Sequence, residues 1–360
     1  MKSFSLKVFS LMALVFFGPL AYASTVWPQA RLGKSPEEIV RLAEKEGKVR
    51  IASALDRDEE SLVFQGFVQK YPKIKIETTR ITGSDTRERI FTEGLAGVVE
   101  YDVADISSEV QEKFIKAGLL AGPIQWRSLF PKIDENQISP NGYLVGVGWS
   151  THMIAYNSSV VPPDRVPKKW EDCLDPYWKG KFVVDTRPKS LTGLAVAWGE
   201  EKTLDFAAKL KNNQPVWKRG QTESLTQLAA GEYAMICGSY YQSLHRLKRR
   251  DPKTKLAISF PPEVPASVGE ALAVLKAGNN PNAAILLTGW LASPEGQKGY
   301  DKIGRGSPFV EGSEKWTLMR KVGAKVVLRQ WEDNAVEEAL SKKILAVWGL
   351  AAGSRRKAVQ

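Results

Sequence analysis

The stretch SPEEIVRLAEKEGKVRIASALDRDEESLVFQGFVQKYPKIKIETT, residues 35–79, decides the fold class. Ser35 suits a helix N-cap with Glu38 three residues on, and Ile39, Val40, Leu42 and Ala43 recur at helical spacing until Gly47 stops the run. Val49 to Ala54 is a short apolar run of strand type. Glu59 to Tyr71 is a second helix with Leu62, Phe64, Phe67 and Val68 inward, and Lys73 to Thr79 a second strand. Gly83-Ser84-Asp85 caps a helix from Thr86 to Ala96, and Asp102 to Ile106 is a third strand. Strands alternating with helices predict a parallel, doubly wound α/β sheet.

Further along, Tyr143–Val147 and His152–Tyr156 read as two strands separated by Gly148-Trp149-Ser150, a segment suited to carrying the chain between domains. Strands at Lys181–Asp185, Tyr233–Cys237 and Ala271–Leu275 alternate with helices at Leu191–Trp198, Leu204–Lys211, Ser224–Ala230 and Asn282–Leu291. A last helix runs from about Asp333 to Trp348. No internal repeat is present.

The first 23 residues read as an export leader. Lys2 and Lys7 precede the apolar run Val8–Leu20, and Ala21-Tyr22-Ala23 offers small residues where a signal peptidase cuts. A periplasmic location follows. The remaining residues 24–360 exceed what one hydrophobic core commonly serves, so two domains with a cleft between them are expected. The 51 basic and 40 acidic residues give a formal net charge of +11, or +9 once Lys2 and Lys7 are removed with the leader. The basic residues are interspersed with acidic ones, which argues against nucleic acid as a partner and for an anion-attracting cleft. Cys173 and Cys237 both sit in apolar contexts, and a disulfide and two separate thiols fit them equally.

Catalytic patterns are scarce. His152 and His245 have no Cys or His at metal-ligand spacing, and no nucleophile elbow or phosphate loop occurs, so no cofactor is required and enzymatic chemistry has little support. Polar loops at strand ends are the better candidates, because open parallel sheets bind ligands there. They comprise Ser53 to Asp56, Gly83 to Asp85 with Ser84 foremost, Ser107-Ser108, and Thr186-Arg187, with Lys189 nearby. Tyr240-Tyr241 follow a strand and a Gly-Ser step. A phenolate can hold ferric iron, and a phenol can hydrogen-bond an organic ligand.

These pieces together resemble the substrate-binding proteins of bacterial ABC importers, in the group that includes the ferric-iron-binding proteins. The resemblance spans nearly all of the chain after the leader. It rests on EGKV (46–49), FVQKYPKIKI (67–76), AGLL (117–120), MIAYN (153–157), WEDCLDPYWKGKF (170–182), ALAVLKAG (271–278) and WLASPEGQ (290–297). It implies the two-lobed type II periplasmic-binding fold, each lobe a doubly wound sheet flanked by helices, joined by two hinge strands. Residues 24–147 with 266–315 would form lobe 1, residues 148–265 lobe 2, and residues 316–360 a C-terminal helical segment packed on both. It implies further a monomer that delivers its ligand to an inner-membrane ABC permease. In iron-binding members, adjacent tyrosines after a strand coordinate the metal, and AMICGSYY puts Tyr240 and Tyr241 there, with Fe3+ as transported ligand. Asp56 stands where some of those proteins carry a histidine ligand, and their glutamate position falls near Ile106 and Ser107. In the resemblance, Trp149-Ser150-Thr151 and Thr186-Arg187 match the loop that holds the accompanying anion. Ferric iron with an anion and a small organic or phosphorus-containing anion both fit, and a thiamine-like or sugar ligand stacked on Trp149 is a third option. The rival classes are an exported enzyme acting on a small anion and a sensor partner that binds ligand only to signal.

Overall fold

The computed structural model describes residues 32–81, 84–98, 100–107, 110–329, 331 and 334–350. Residues 1–23, expected to be a leader, and Gly83, Ser108 and Asp333 lie outside the described residues. The first lobe opens with α1 (Pro36–Glu46), capped by Ser35 and closed by left-handed Gly47, then β1 (Lys48–Ser53), α2 (Arg57–Lys70), β2 (Lys75–Arg80), α3 (Ser84–Leu95) and β3 (Val103–Asp105). Short helices α4 (Gln111–Lys116) and α5 (Trp126–Leu129) lead into β4 (Leu144–Asn157). The second lobe holds β5 (Phe182–Asp185), α6 (Lys189–Asn212), β6 (Val216–Lys218), α7 (Gln221–Ala229), β7 (Met235–Tyr240), α8 (Tyr241–Arg250) and β8 (Leu256–Ser259). The chain returns along β9 (Glu263–Val274) to α9 (Pro281–Ala292), α10 (Pro294–Asp301) and α11 (Glu314–Lys321), and finishes with β10 (Lys325–Leu328) and α12 (Asn334–Trp348).

One difference from the sequence reading matters for the site. The two strands expected on either side of Gly148-Trp149-Ser150 are one strand, β4, whose register with β9 shifts around Gly148; ladder pairing bridges a local breaker that sequence periodicity reads as an end. The two helices expected at 191–198 and 204–211 are present as two helical stretches of α6 on either side of Gly199, whose backbone (φ 79°) is not helical.

The sheet order is β2-β1-β3-β9-β4-β7-β5-β6, with β10 on β9 and β8 on β4. Pairing within each outer set is parallel (β1 with β2 and β3; β5 with β6 and β7), as the alternation predicts. The middle is antiparallel: β9 pairs with both β3 and β4, and β4 with β7. Hence β4 and β9 each serve both lobes, and their ladder from Leu144↔Ala273 to Thr151↔Ala266 is the hinge. Separate cores flank it. Val49, Ile51, Phe67, Val103, Leu287 and Trp290 belong to the first lobe, and Trp170, Phe182, Leu194, Phe206 and Met235 to the second. Cys173 and Cys237 are joined in the second core as a disulfide, with Cα atoms 6.3 Å apart. No helix among the described residues is long and apolar enough to cross a membrane.

Candidate functional site

A cavity of about 220 Å³ lies on the hinge ladder, where strands of both lobes end. The hinge contributes Ser150 and His152 from β4 and Pro265 to Gly269 from β9. The first lobe adds Asp105 and Ser107 at the end of β3, and the second adds Tyr240 at the end of β7 with Lys189 and Gly193 at the start of α6. Arg329 and Trp331, just past β10, complete the wall.

Two glycines let these elements approach. Gly238 in β7 has φ +88°, and a Cβ there would fall 2.4 Å from Ser190 Oγ. At Gly193 a Cβ would fall 2.6 Å from Pro265 Cβ, so α6 can lie against β9 only without a side chain at that position.

The wall is polar and positively biased. His152 is buried, its Nδ1 is 3.4 Å from the Gly238 carbonyl oxygen, and its ring centroid is 4.3 Å from that of Tyr240. Burial, with Arg329 and Lys189 nearby, lowers its pKa to about 4, so the imidazole is neutral at physiological pH and offers both a donor and an acceptor. Burial raises the Tyr240 phenol and Asp185 adds to the rise, while Arg187 and Arg329 oppose it. The phenol is therefore protonated unless a strong Lewis acid displaces the proton. Burial also raises Asp105, which pairs with Arg87 at 2.8 Å and accepts from the Ala271 amide. Glu337 of α12 pairs with Lys189 at 2.8 Å and contacts Arg329, and the Thr192 hydroxyl donates to it at 3.2 Å.

Of the residues expected at the site, Ser107, Ser150 and Tyr240 line the cavity. Ser53 stands one residue back, its hydroxyl donating to Glu270 Oε1 at 3.0 Å. Asp56 instead caps α2 and pairs with Arg80, so it is tied up at the end of the helix. The Thr186 amide donates to the Lys218 carbonyl and its side chain does not line the cavity. Arg187 folds back onto Asp185 through two bonds, of 3.0 and 2.7 Å. Gln221 also donates to Asp185 and accepts from Ser239 Oγ and the Tyr240 amide, so Arg187 supports the Tyr240 end of β7 without lining the cavity. Ser84 opens α3, and its side chain is outside the described part of the structure.

Two expected residues, Trp149 and Tyr241, lie away from the cavity. Trp149 is fully buried against Phe309, with ring centroids 5.1 Å apart, and its carbonyl accepts from Lys315 Nζ at 2.8 Å. Alternation along β4 explains this: Ser150 and His152 face the cavity, so Trp149 faces the other side. Tyr241 starts α8 and turns away from Tyr240. Its ring lies 5.9 Å from that of Phe260, with Lys315 Nζ 5.5 Å from its centroid, and it borders a separate depression beside Leu62 and His245. The adjacent tyrosines thus do not share the cavity. Among the described residues no group of three or more His, Cys, Asp or Glu side chains is placed to hold a metal ion.

His152, Arg329 and Trp331 were not among the expected ligand contacts, whereas Lys189, which lines the cavity, was noted beside Arg187 as a charge partner for an anion. Lys189 had a signal, a basic residue two positions past Arg187 at a helix start. Arg329 and Trp331 had none, because their place depends on β10 pairing with β9 some 60 residues earlier in the chain.

Residues 63–322 match the family described as bacterial extracellular solute-binding protein. No curated protein matches the chain. Among solved structures, the chain is similar to iron-bound HitA from Pseudomonas aeruginosa, at 18% identity and a TM-score of 0.62, covering 82% of this chain and 99% of that one. It is similar also to the Trichodesmium protein IdiA (FutA) in complex with iron and citrate ligands, at 23% identity, 84% and 99% coverage, and a TM-score of 0.66. An ABC transporter substrate-binding protein from Bradyrhizobium japonicum matches at 18% identity, 84% and 99% coverage, and a TM-score of 0.64. At these identities the likeness is one of fold.

Proposed function

The chain belongs to the bacterial extracellular solute-binding protein family, and on that premise we propose that it captures a small anionic ligand in the hinge cavity and delivers it to an ABC permease from the periplasm. One observation carries the reading. Donors from both lobes and from the hinge, namely Ser107, Ser150, His152, Lys189, Tyr240 and Arg329, converge on one small space. A ligand touching both lobes favours the closed arrangement by its differential contacts, which is how a binding protein couples occupancy to shape. A volume of about 220 Å³ is that of about seven waters, which suits a compact organic acid or an inorganic oxyanion. Among the described residues that line the cavity no activated nucleophile or acid–base pair is placed, which weighs for binding over turnover, the rival reading.

Ferric iron with a bound anion is the second reading, favoured by Tyr240 in the cavity wall and by the iron named in two of the similar structures. With Tyr241 turned away, the described residues of the cavity wall offer one phenol, one imidazole and the Arg87-paired Asp105, a sparse set for a hard trivalent ion.

One experiment separates them. The purified protein is titrated with ferric citrate, citrate, succinate and inorganic phosphate, following both the melting temperature and the visible spectrum. The anion reading expects stabilisation by an iron-free anion and no new visible band. A tyrosinate-to-iron charge-transfer band that Tyr240→Phe abolishes would move the assignment to iron.

A further inference from the structure

We propose that the C-terminal segment is part of the ligand site: Arg329 and the Trp331 indole N–H, beside Lys189, bind an oxyanion group of the ligand and set its specificity. This rests on the small-anion reading above and names the residues and the chemical group that carry it.

The geometry is built by β10. It runs parallel to the N-terminal half of β9, from Lys325↔Glu263 to Leu328↔Ala266, and the Arg329 amide donates to the Ala266 carbonyl at 3.2 Å. Ala266 lines the cavity, so this bond ties the Arg329 backbone to the cavity wall. Glu337 then holds Arg329 and Lys189 together from α12. Both cations act on His152, and Arg329 acts also on Tyr240, which places positive potential inside the cavity and not merely at its rim.

Trp331 is the second, independent observation. It is 4% exposed and lines the cavity, and its Nε1 is buried without an acceptor. Among the described residues the indole nitrogens of Trp149, Trp198 and Trp290 are likewise buried without a partner, but of the four only Trp331 belongs to the cavity wall, where an anionic oxygen would supply an acceptor. Trp331 packs with the first-lobe cluster that holds Ala104, Ile106 and Ala271, while Leu340, Ile344 and Trp348 of α12 pack into the second-lobe core. The segment therefore spans both lobes, and a ligand gripped by Arg329 and Trp331 would also engage the strap that joins them. Arg329, Trp331 and Glu337 all lie beyond residue 322, where the family match ends, so the family match says nothing of this part of the wall.

The test uses the full chain, with succinate, inorganic phosphate and the uncharged diamide succinamide as probes in calorimetric titrations. Replacing one charge-assisted hydrogen bond predicts that Arg329→Gln weakens binding of whichever anion the unaltered protein takes by about 10- to 100-fold. Arg329→Lys should recover part of the loss. Trp331→Phe, which keeps the ring and removes the N–H, should cost about 3- to 10-fold. Succinamide should bind equally weakly to all four proteins. Preference for succinate or for phosphate identifies the oxyanion. Undiminished anion affinity in both Arg329→Gln and Trp331→Phe overturns the proposal while leaving the anion reading intact. An unaltered protein that binds neither anion overturns both. Should Arg329→Gln fail to fold, Arg329→Lys and Trp331→Phe decide by the same criterion.

Discussion

The ion pair between Glu59 and Arg246 should set how readily the lobes close. Glu59 lies in the first turn of α2 in the first lobe and Arg246 in the middle of α8 in the second, and Arg246 Nη2 donates to Glu59 Oε1 at 2.7 Å. Burial alone would raise the Glu59 carboxyl, but Arg305 and Arg246 outweigh it and hold the pKa below the ordinary value, so Glu59 is ionised in this arrangement. The Glu59 side chain is 3% exposed and that of Arg246 32%. A charge-assisted bond contributes about 1.5–3 kcal/mol net, and the partial exposure of Arg246 puts this one near the lower end, about 1.5 kcal/mol. That is about a tenfold change in the closing equilibrium. If the open state predominates without ligand, Arg246→Gln therefore weakens apparent affinity about tenfold, because only the closed fraction binds productively. Small-angle scattering at a fixed, subsaturating ligand concentration should show a larger radius of gyration for the variant, because less of it is held closed. A double-mutant cycle with Glu59→Gln and Arg246→Gln isolates the pair from the loss of packing that each change also brings. An unchanged radius together with a coupling energy near zero would refute the reasoning.

Two further outcomes follow from buried groups outside the cavity. Glu270 on β9 is buried beside Tyr300, and burial, then the nearby Asp105 charge, raises its pKa to about 7. The folded protein thus binds this proton more tightly than the unfolded chain does, so Glu270 makes stability fall as pH rises from about 4.5 to about 7. Glu270→Gln should melt higher than the unaltered protein at pH 8, by on the order of 1–3 kcal/mol, and the difference should vanish near pH 4; equal melting curves at pH 8 would contradict this. The Cys173–Cys237 disulfide closes a loop of 64 residues, for which chain entropy predicts a stabilisation of about 4 kcal/mol. The double Cys→Ser variant should unfold at correspondingly lower urea. Two thiols titrating in the non-reduced, denatured protein would show that the bridge does not form.

Much of the first lobe was legible because its signals are local. Ser35, Glu38 and Gly47 bound a helix within 13 residues, and the alternation that follows names the parallel strands. The site was legible only in part. Tyr240, Ser150 and Ser107 were reachable from strand ends, yet Tyr241 and Trp149 lie away from the cavity because a neighbour in sequence points elsewhere once a strand alternates or gives way to a helix. Arg187 looked like an anion partner, but its Nε and Nη2 donate to Asp185, two residues away, and it does not line the cavity.

By itself, then, the sequence determined the α/β class, most of the first-lobe helices and strands and the strand ends where a ligand could sit, which follow from capping, periodicity and turn chemistry acting over a few residues. Two domains were expected from chain length, and β6, β8 and β10 were not read. Tertiary structure alone decided that β4 runs unbroken through Gly148, that Cys173 meets Cys237, and that β10 brings Arg329 and Trp331 into the wall beside Lys189. These depend on pairings between residues 60 or more positions apart, where the free energy comes from shared ladders and buried contacts that no local stretch encodes.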